Sequence, residues 1–181
     1  TLHRRIERRL HVHQIENITD YIQFLQKSET EASLLFKDLL IGVTSFFRDP
    51  EAFEILKQQI IPGILAEKTE DSMIRIWIAG CSTGEEVYSI AMIFDEVMES
   101  MNRHVNLQFF GTDIDEEAIN SARSGLYPSG IRSEVSEERL KRYFIKEANG
   151  FYQVKKLIRE RIIFAVQNVI KDPPFTKLDL L

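Results

Sequence analysis

Through the first quarter of the chain, apolar residues recur at helical spacing. Leu2, Ile6 and Leu10, with Val12, mark one stripe, while Arg4, Arg5, Arg8 and Arg9 share the other side at i, i+4 intervals. The run from Leu2 to Ile15 therefore predicts an amphipathic helix. Two further clusters, one of Tyr21, Ile22, Phe24 and Leu25 and one from Leu34 to Ile41, have helical density, few β-branched residues and no strand alternation. A small helical bundle is predicted. Asp49, Pro50 and Glu51 read as an N-cap, a proline at the first helical position and an acidic first turn, launching a helix towards Ile60 that Pro62-Gly63 weakens or ends.

After Ser72 the pattern changes. Ile74, Ile76, Trp77 and Ile78 form a short apolar run bounded by a glycine, which predicts a strand buried on both faces of a parallel sheet. A loop from Ala79 to Gly84 leads into a helix carrying Val87, Ile90, Ala91, Phe94 and Val97. A second strand, Leu107 to Gly111, ends at Thr112-Asp113, and Asp115 with Glu116 and Glu117 opens the next helix. This alternation is the opening of a doubly wound α/β domain with a mostly parallel sheet. Ser136 to Phe144 predicts a short helix capped by Ser136. Strands are expected at Phe151 to Val154, after the Asn149-Gly150 turn, and at Ile162 to Val166. The irregular stretch at about 143–158 reads as a small antiparallel β insertion. The expected organisation is a helical subdomain over 1–48, a connecting helix and linker over 49–72, and an α/β domain over 73–181.

With 181 residues and 44% hydrophobic content, the chain can bury one ordinary core and a small satellite. No apolar run is long enough to span a membrane, and no signal-peptide pattern opens the chain. The single cysteine, Cys81, makes neither an intramolecular disulfide nor a multi-thiolate metal site, so a cytoplasmic protein is expected. A net charge of −5 argues against nucleic acid as a partner. His3, His11, His13 and His104 form no ligand set, and no metal is expected.

The strongest local signal is Ala79-Gly80-Cys81-Ser82-Thr83-Gly84-Glu85-Glu86 between a buried strand and a helix. Small residues there let a ligand approach the backbone at the carboxyl end of the sheet, although a tight strand-to-helix turn needs them too. The spacing Gly80-x-x-x-Gly84 is not the dinucleotide fingerprint, and no lysine is placed as in a phosphate-binding loop. Asp113, at the end of the second strand, is placed to accept hydrogen bonds from two ribose hydroxyls; helix capping is the alternative, and it is the reading taken for Asp115. Glu85 and Glu86 would repel a pyrophosphate at the helix start, yet one of them can pair with an α-ammonium group. Adenosine joined to an amino-acid moiety is the economical ligand.

Four strings in order, Thr44-Ser45-Phe46-Phe47-Arg48-Asp49, Ala79 through Ala91, Thr112-Asp113-Ile114-Asp115 followed by Ala122 through Tyr127, and Phe164 through Phe175, resemble CheR-type chemotaxis receptor methyltransferases. The last looks most like the branch fused to a CheB-type methylesterase. The resemblance runs from about Leu2 to Leu181. It implies a class I, Rossmann-like methyltransferase fold that transfers a methyl from S-adenosylmethionine to receptor glutamates and leaves S-adenosylhomocysteine. By the same resemblance Thr44 and Arg48 reach the cofactor from the helical domain, with Arg48 on its carboxylate. Glu85 is an acidic ligand, Asp113 holds the ribose, Asn168 and Val169 lie beside the adenine, and Gly80 and Gly84 allow close approach. Phe46 or Phe47, or both, read as core.

The resemblance also gives Arg4, Arg5, Arg8 and Arg9 a role in docking acidic receptor helices, and likens the β insertion to a subdomain with which some members hold a receptor peptide. Two departures stand out. Gly42 occupies a position where many members have asparagine. An Arg-Asn-x-x-x-Tyr motif that follows in the family, and whose tyrosine lies near the transferred methyl, is not within these residues, so the segment by itself is expected to bind and turn over poorly. A non-catalytic cofactor-binding or partner-docking module of a larger signalling protein is the alternative. A methyltransferase acting on a small molecule would leave the arginine helix without a purpose.

Overall fold

The computed structural model describes residues 2–40 and 42–181; Thr1 and Ile41, the last residue of the third apolar cluster, lie outside the described residues. The chain forms two compact units that meet between Gly42 and Val43. The expected boundary at residue 48 differs from this division for a physical reason. Phe46, 2% exposed, is part of the α/β core, edge-on to Tyr127 and Phe144, and draws residues 43–48 into the second unit.

The first unit contains α1 (Leu2–Val12), α2 (Ile18–Lys27) and α3 (Glu29–Leu39). Asn17 caps α2 by accepting from the Asp20 amide, and Ser28 caps α3 by accepting from the Glu31 amide. Among its described residues only Tyr21 and Glu31 are fully buried. Its centre is polar. Glu31 accepts from Arg9 through both carboxylate oxygens, from the Tyr21 hydroxyl at 2.6 Å, and meets His13 Nε2 at 2.7 Å. The Arg9 guanidinium holds the Glu31 carboxyl down at about 2, against an opposing push from burial, while burial raises Tyr21 to about 12.

The second unit opens with α4 (Pro50–Ile55), a π-helical turn (Leu56–Ile60) and α5 (Ile61–Ala66), one continuous helical run. Asp49 precedes it without a side-chain cap bond. Pro62 does not end the helix. The π turn just before it widens the backbone where the proline ring would otherwise meet a carbonyl of the preceding turn. Ile61 and Leu65 are then fully buried.

The sheet consists of β1 (Met73–Ala79), β2 (Asn106–Asp113) and β6 (Ile162–Val166), parallel throughout and with β2 in the middle. Ile76 stands opposite Phe109, and Gly111 opposite Phe164. The helix α6 (Glu85–Ser100) buries Val87, Ile90, Ile93, Phe94 and Val97. A side chain at Gly111 would meet the Phe164 ring at 2.7 Å and Val87 at 2.9 Å, so glycine lets helix and strand close on each other there. On the other face, Phe175 stacks on Phe110 at 4.3 Å and lies edge-on to Trp77. The chain then runs beside β1, with Leu180 bridging Ile76 in parallel and accepting from the Trp77 amide.

Between β2 and β6 lie α7 (Glu116–Ser124), β3 (Leu126–Tyr127), a 3₁₀ turn (Ser129–Ser133), α8 (Glu137–Tyr143), β4 (Phe144–Lys146), β5 (Tyr152–Val154) and α9 (Lys156–Arg159). Ser136 caps α8 as expected. The antiparallel sheet has the order β3-β5-β4 and so includes Leu126-Tyr127, outside the stretch read as the insertion. Ion pairs of Arg139 with Glu96, and of Arg142 and Arg161 with Asp95, tie this region to α6.

Candidate cofactor site

The carboxyl ends of β1 and β2 are joined through the loop between them and α6. The Cys81 amide donates to the Thr112 carbonyl at 2.9 Å, and the Ser82 amide donates to Asp113 Oδ2 at 2.8 Å. Asp113 Oδ1 accepts from the Asp115 amide at 2.9 Å. Both carboxylate oxygens are thus oriented by backbone, and each keeps acceptor capacity for a ligand hydroxyl. Asp115 itself caps α7, accepting from Glu117 and Ala118.

Gly80, Ser82 and Gly84 all have positive φ, at 73°, 47° and 93°. The two glycines differ in what they leave room for. A Cβ on Gly80 would meet nothing within 4 Å, and Ala79 and Gly80 are exposed at the lip of the sheet. Gly84 is buried, and its Cβ would meet that of Ala122 at 2.9 Å; its close approach is to α7.

Glu85 is half-buried at the start of α6 and accepts from the Thr83 hydroxyl at 2.6 Å. Burial raises its carboxyl above the ordinary range, against the Thr83 bond and with help from the charge of Glu134. A cation beside it would reverse that shift. Glu86 is exposed. Burial likewise raises the Cys81 thiol to about 12, which keeps it protonated and unreactive.

Thr44 is half-buried and Arg48 exposed, in the turn that precedes α4. Arg48 Nη1 donates to the Val43 carbonyl at 2.9 Å and so closes the turn on itself. Phe47, with φ 52°, lies beneath the Arg139 guanidinium at 4.1 Å, and its amide donates to Ser89 Oγ at 3.2 Å, one turn along α6 from Glu85. Turn, loop and helix start thus share one unit. Beyond β6, the Asn168 side chain accepts from the Ile170 and Lys171 amides, and the Asn168 amide donates to Asp172. Asn168 shapes the turn that leaves Val169, 60% exposed, at its surface.

The four arginines of α1 do not form one free face. Arg9 is internal, bound to Glu31. Arg5 donates to the carbonyls of Asp38 and Leu40 at the end of α3. Arg8 pairs with Asp38 at 2.7 Å but stays largely exposed, as does Arg4. Sequence reading missed Ser89 and Glu134, which hold the amides of Phe47 and Phe46.

A parallel sheet with a small-residue loop after its first strand and an anchored acid at the end of its second defines the Rossmann-like α/β class. The chain belongs to the CheR methyltransferase family. Residues 42–181 match the family's SAM binding domain, and residues 1–40 its all-alpha domain. It is 35% identical over 179 residues to a chemotaxis protein methyltransferase of Borreliella burgdorferi, covering 96% of this chain and 63% of that one. It is 31% identical over 161 residues to chemotaxis protein methyltransferase 1 of Pseudomonas aeruginosa, covering 86% and 58%. A 104.1 kDa protein of Rhodobacter capsulatus is 39% identical over all 181 residues, which span 19% of that protein. The chain thus spans less than two thirds of each of these relatives. Among the described residues no helix is long and apolar enough to cross a membrane.

Proposed function

We propose that this chain is the cofactor-binding part of an S-adenosylmethionine-dependent protein-glutamate O-methyltransferase acting on chemotaxis receptors or related signalling proteins in the cytoplasm. The observation that carries the reading is Asp113, its two oxygens fixed at the mouth of the glycine loop in a chain of this family. The residues present fit the cofactor. Asp113 takes the ribose hydroxyls, and the Glu85 carboxyl, raised by burial, is stabilised as a carboxylate by an α-ammonium group. Arg48 holds the cofactor carboxylate, Thr44 adds a hydroxyl, Gly80 leaves space at the lip, and Asn168 shapes the turn that carries Val169 to the adenine. Gly84 serves the site by letting α6 start close to α7.

The bound cofactor supplies a methyl group on a sulfonium, a good leaving group. A receptor glutamate is ionised at neutral pH and needs no general base. The protein's part is to hold the acceptor in line at about 3 Å and to exclude water. Arg4 and Arg8 are the members of the α1 cluster offered to an acidic receptor helix; Arg5 and Arg9 support the helical unit from within.

Incubating the full-length protein with radiolabelled S-adenosylmethionine and receptor cytoplasmic domains should yield base-labile methyl esters on glutamate. Base-stable methyl groups would rule out carboxylate methylation, and cofactor binding without any transfer would favour a non-catalytic module.

A further inference from the structure

The turn that carries Thr44 and Arg48 is held from outside at two backbone points. Phe47 N–H goes to Ser89 Oγ on α6 at 3.2 Å, and Phe46 N–H goes to Glu134 Oε2 at 2.9 Å. Glu134 lies 88 residues away in sequence, at the end of the 3₁₀ turn Ser129–Ser133. Phe46 as a whole is 2% exposed, so its amide needs an acceptor within reach, and the Glu134 carboxyl supplies one. Phe47, next along, sits at positive φ, a conformation that a phenylalanine adopts only when its surroundings hold it there.

Building on the cofactor reading above, we propose that Glu134 is a positioning residue for the cofactor site, holding the Phe46 amide so that Arg48 is presented to the carboxylate of the bound cofactor. Three observations favour this over a general structural role. Glu134 is exposed and buries nothing of the core, so what it contributes is local. It grips the backbone two residues before Arg48, on the segment whose conformation sets where that guanidinium points. Its charge also acts on Glu85, the acid at the start of α6.

The test uses the full-length protein and calorimetric titration with S-adenosylhomocysteine. Glu134→Ala should weaken binding about tenfold, as expected for losing one charge-assisted hydrogen bond at a partly exposed position. Glu134→Gln, whose amide oxygen still accepts from Phe46, should restore most of the affinity, and both variants should keep the wild-type melting temperature. Wild-type affinity in Glu134→Ala, or a Gln variant as weak as the Ala variant, would overturn the proposal. Arg48→Ala distinguishes a failed positioning role from a failed cofactor site. If it weakens binding while Glu134→Ala does not, positioning by Glu134 is wrong and the site stands; if it leaves affinity unchanged, the cofactor reading of the turn falls, and this proposal with it.

Discussion

Replacing Glu31 with alanine is expected to unfold the helical unit while leaving the α/β unit folded. Arg9, with 12% of its side chain exposed, and the Tyr21 hydroxyl would lose their shared partner, leaving a poorly solvated guanidinium with only the longer pairing to Asp38 at 3.9 Å. Breaking one side of a buried ion pair costs about 3 kcal/mol or more. A unit of this size has little with which to offset that, because its described residues bury no aliphatic side chain completely. Hydrogen exchange should report the loss as fast exchange across α1, α2 and α3. Glu31→Gln, which still accepts hydrogen bonds, should be milder.

Acid should reproduce the effect. The folded-state carboxyl at about 2 lies below its ordinary 4.5, so its contribution is complete above about 4.5 and is lost as the pH falls from there towards 2. Helical-unit stability that stayed flat across that window would show that Glu31 is not the hub.

The second large effect is at Asp113. On the proposed reading, Asp113→Ala removes an ionised acceptor from two ribose hydroxyls, and each such bond contributes about 1.5–3 kcal/mol. Even at the lower end, about 3 kcal/mol for the two bonds, cofactor affinity should fall by more than about a hundredfold. The variant also frees the Ser82 and Asp115 amides, so Asp113→Asn is the necessary companion. It keeps one acceptor oxygen, and its affinity should lie between the wild type and the alanine variant. Unchanged affinity in both would return Asp113 to capping alone.

Much of the fold was legible because burial writes itself into sequence. The apolar runs of β1 and β2 mark strands buried in a parallel sheet, that of β6 marks a strand buried at Ile162 and Phe164, and the caps Asp115 and Ser136 announce their helices. Asp113 and the pair Glu85-Glu86 follow as candidates from topology, since strand ends and helix starts meet at the lip, while the resemblance alone singles out Glu85. What escaped depends on distant partners. The two residues of β3 carry no periodicity and exist as a strand only because Leu126 pairs with Gln153 and Tyr127 with Tyr152. The run beside β1 near Leu180 is equally short. Pro62 reads as a breaker because the π turn that accommodates it has no local signature.

Charge misleads in a similar way. Arg9 and Glu31 are surface residues by type, and only their partnership takes them inside. A signal was present: Arg9 on α1 and His13 just past its end are four residues apart, and Ser28-Glu29-Thr30-Glu31 has the spacing of a capping box whose acid is free to turn elsewhere. Glu134 had no such signal. Its partner is a backbone amide 88 positions away, and nothing near either residue points to the other.

On the proposed reading, a nucleoside cofactor lies over the carboxyl ends of β1 and β2. Amide hydrogen exchange of the full-length protein, with and without saturating S-adenosylhomocysteine, tests it most directly. Slowed exchange at 80–85 and 113–115, with 44–48 and 168–169 joining them, is the expected result. A ligand that binds yet leaves 80–85 and 113–115 exchanging as before would contradict it.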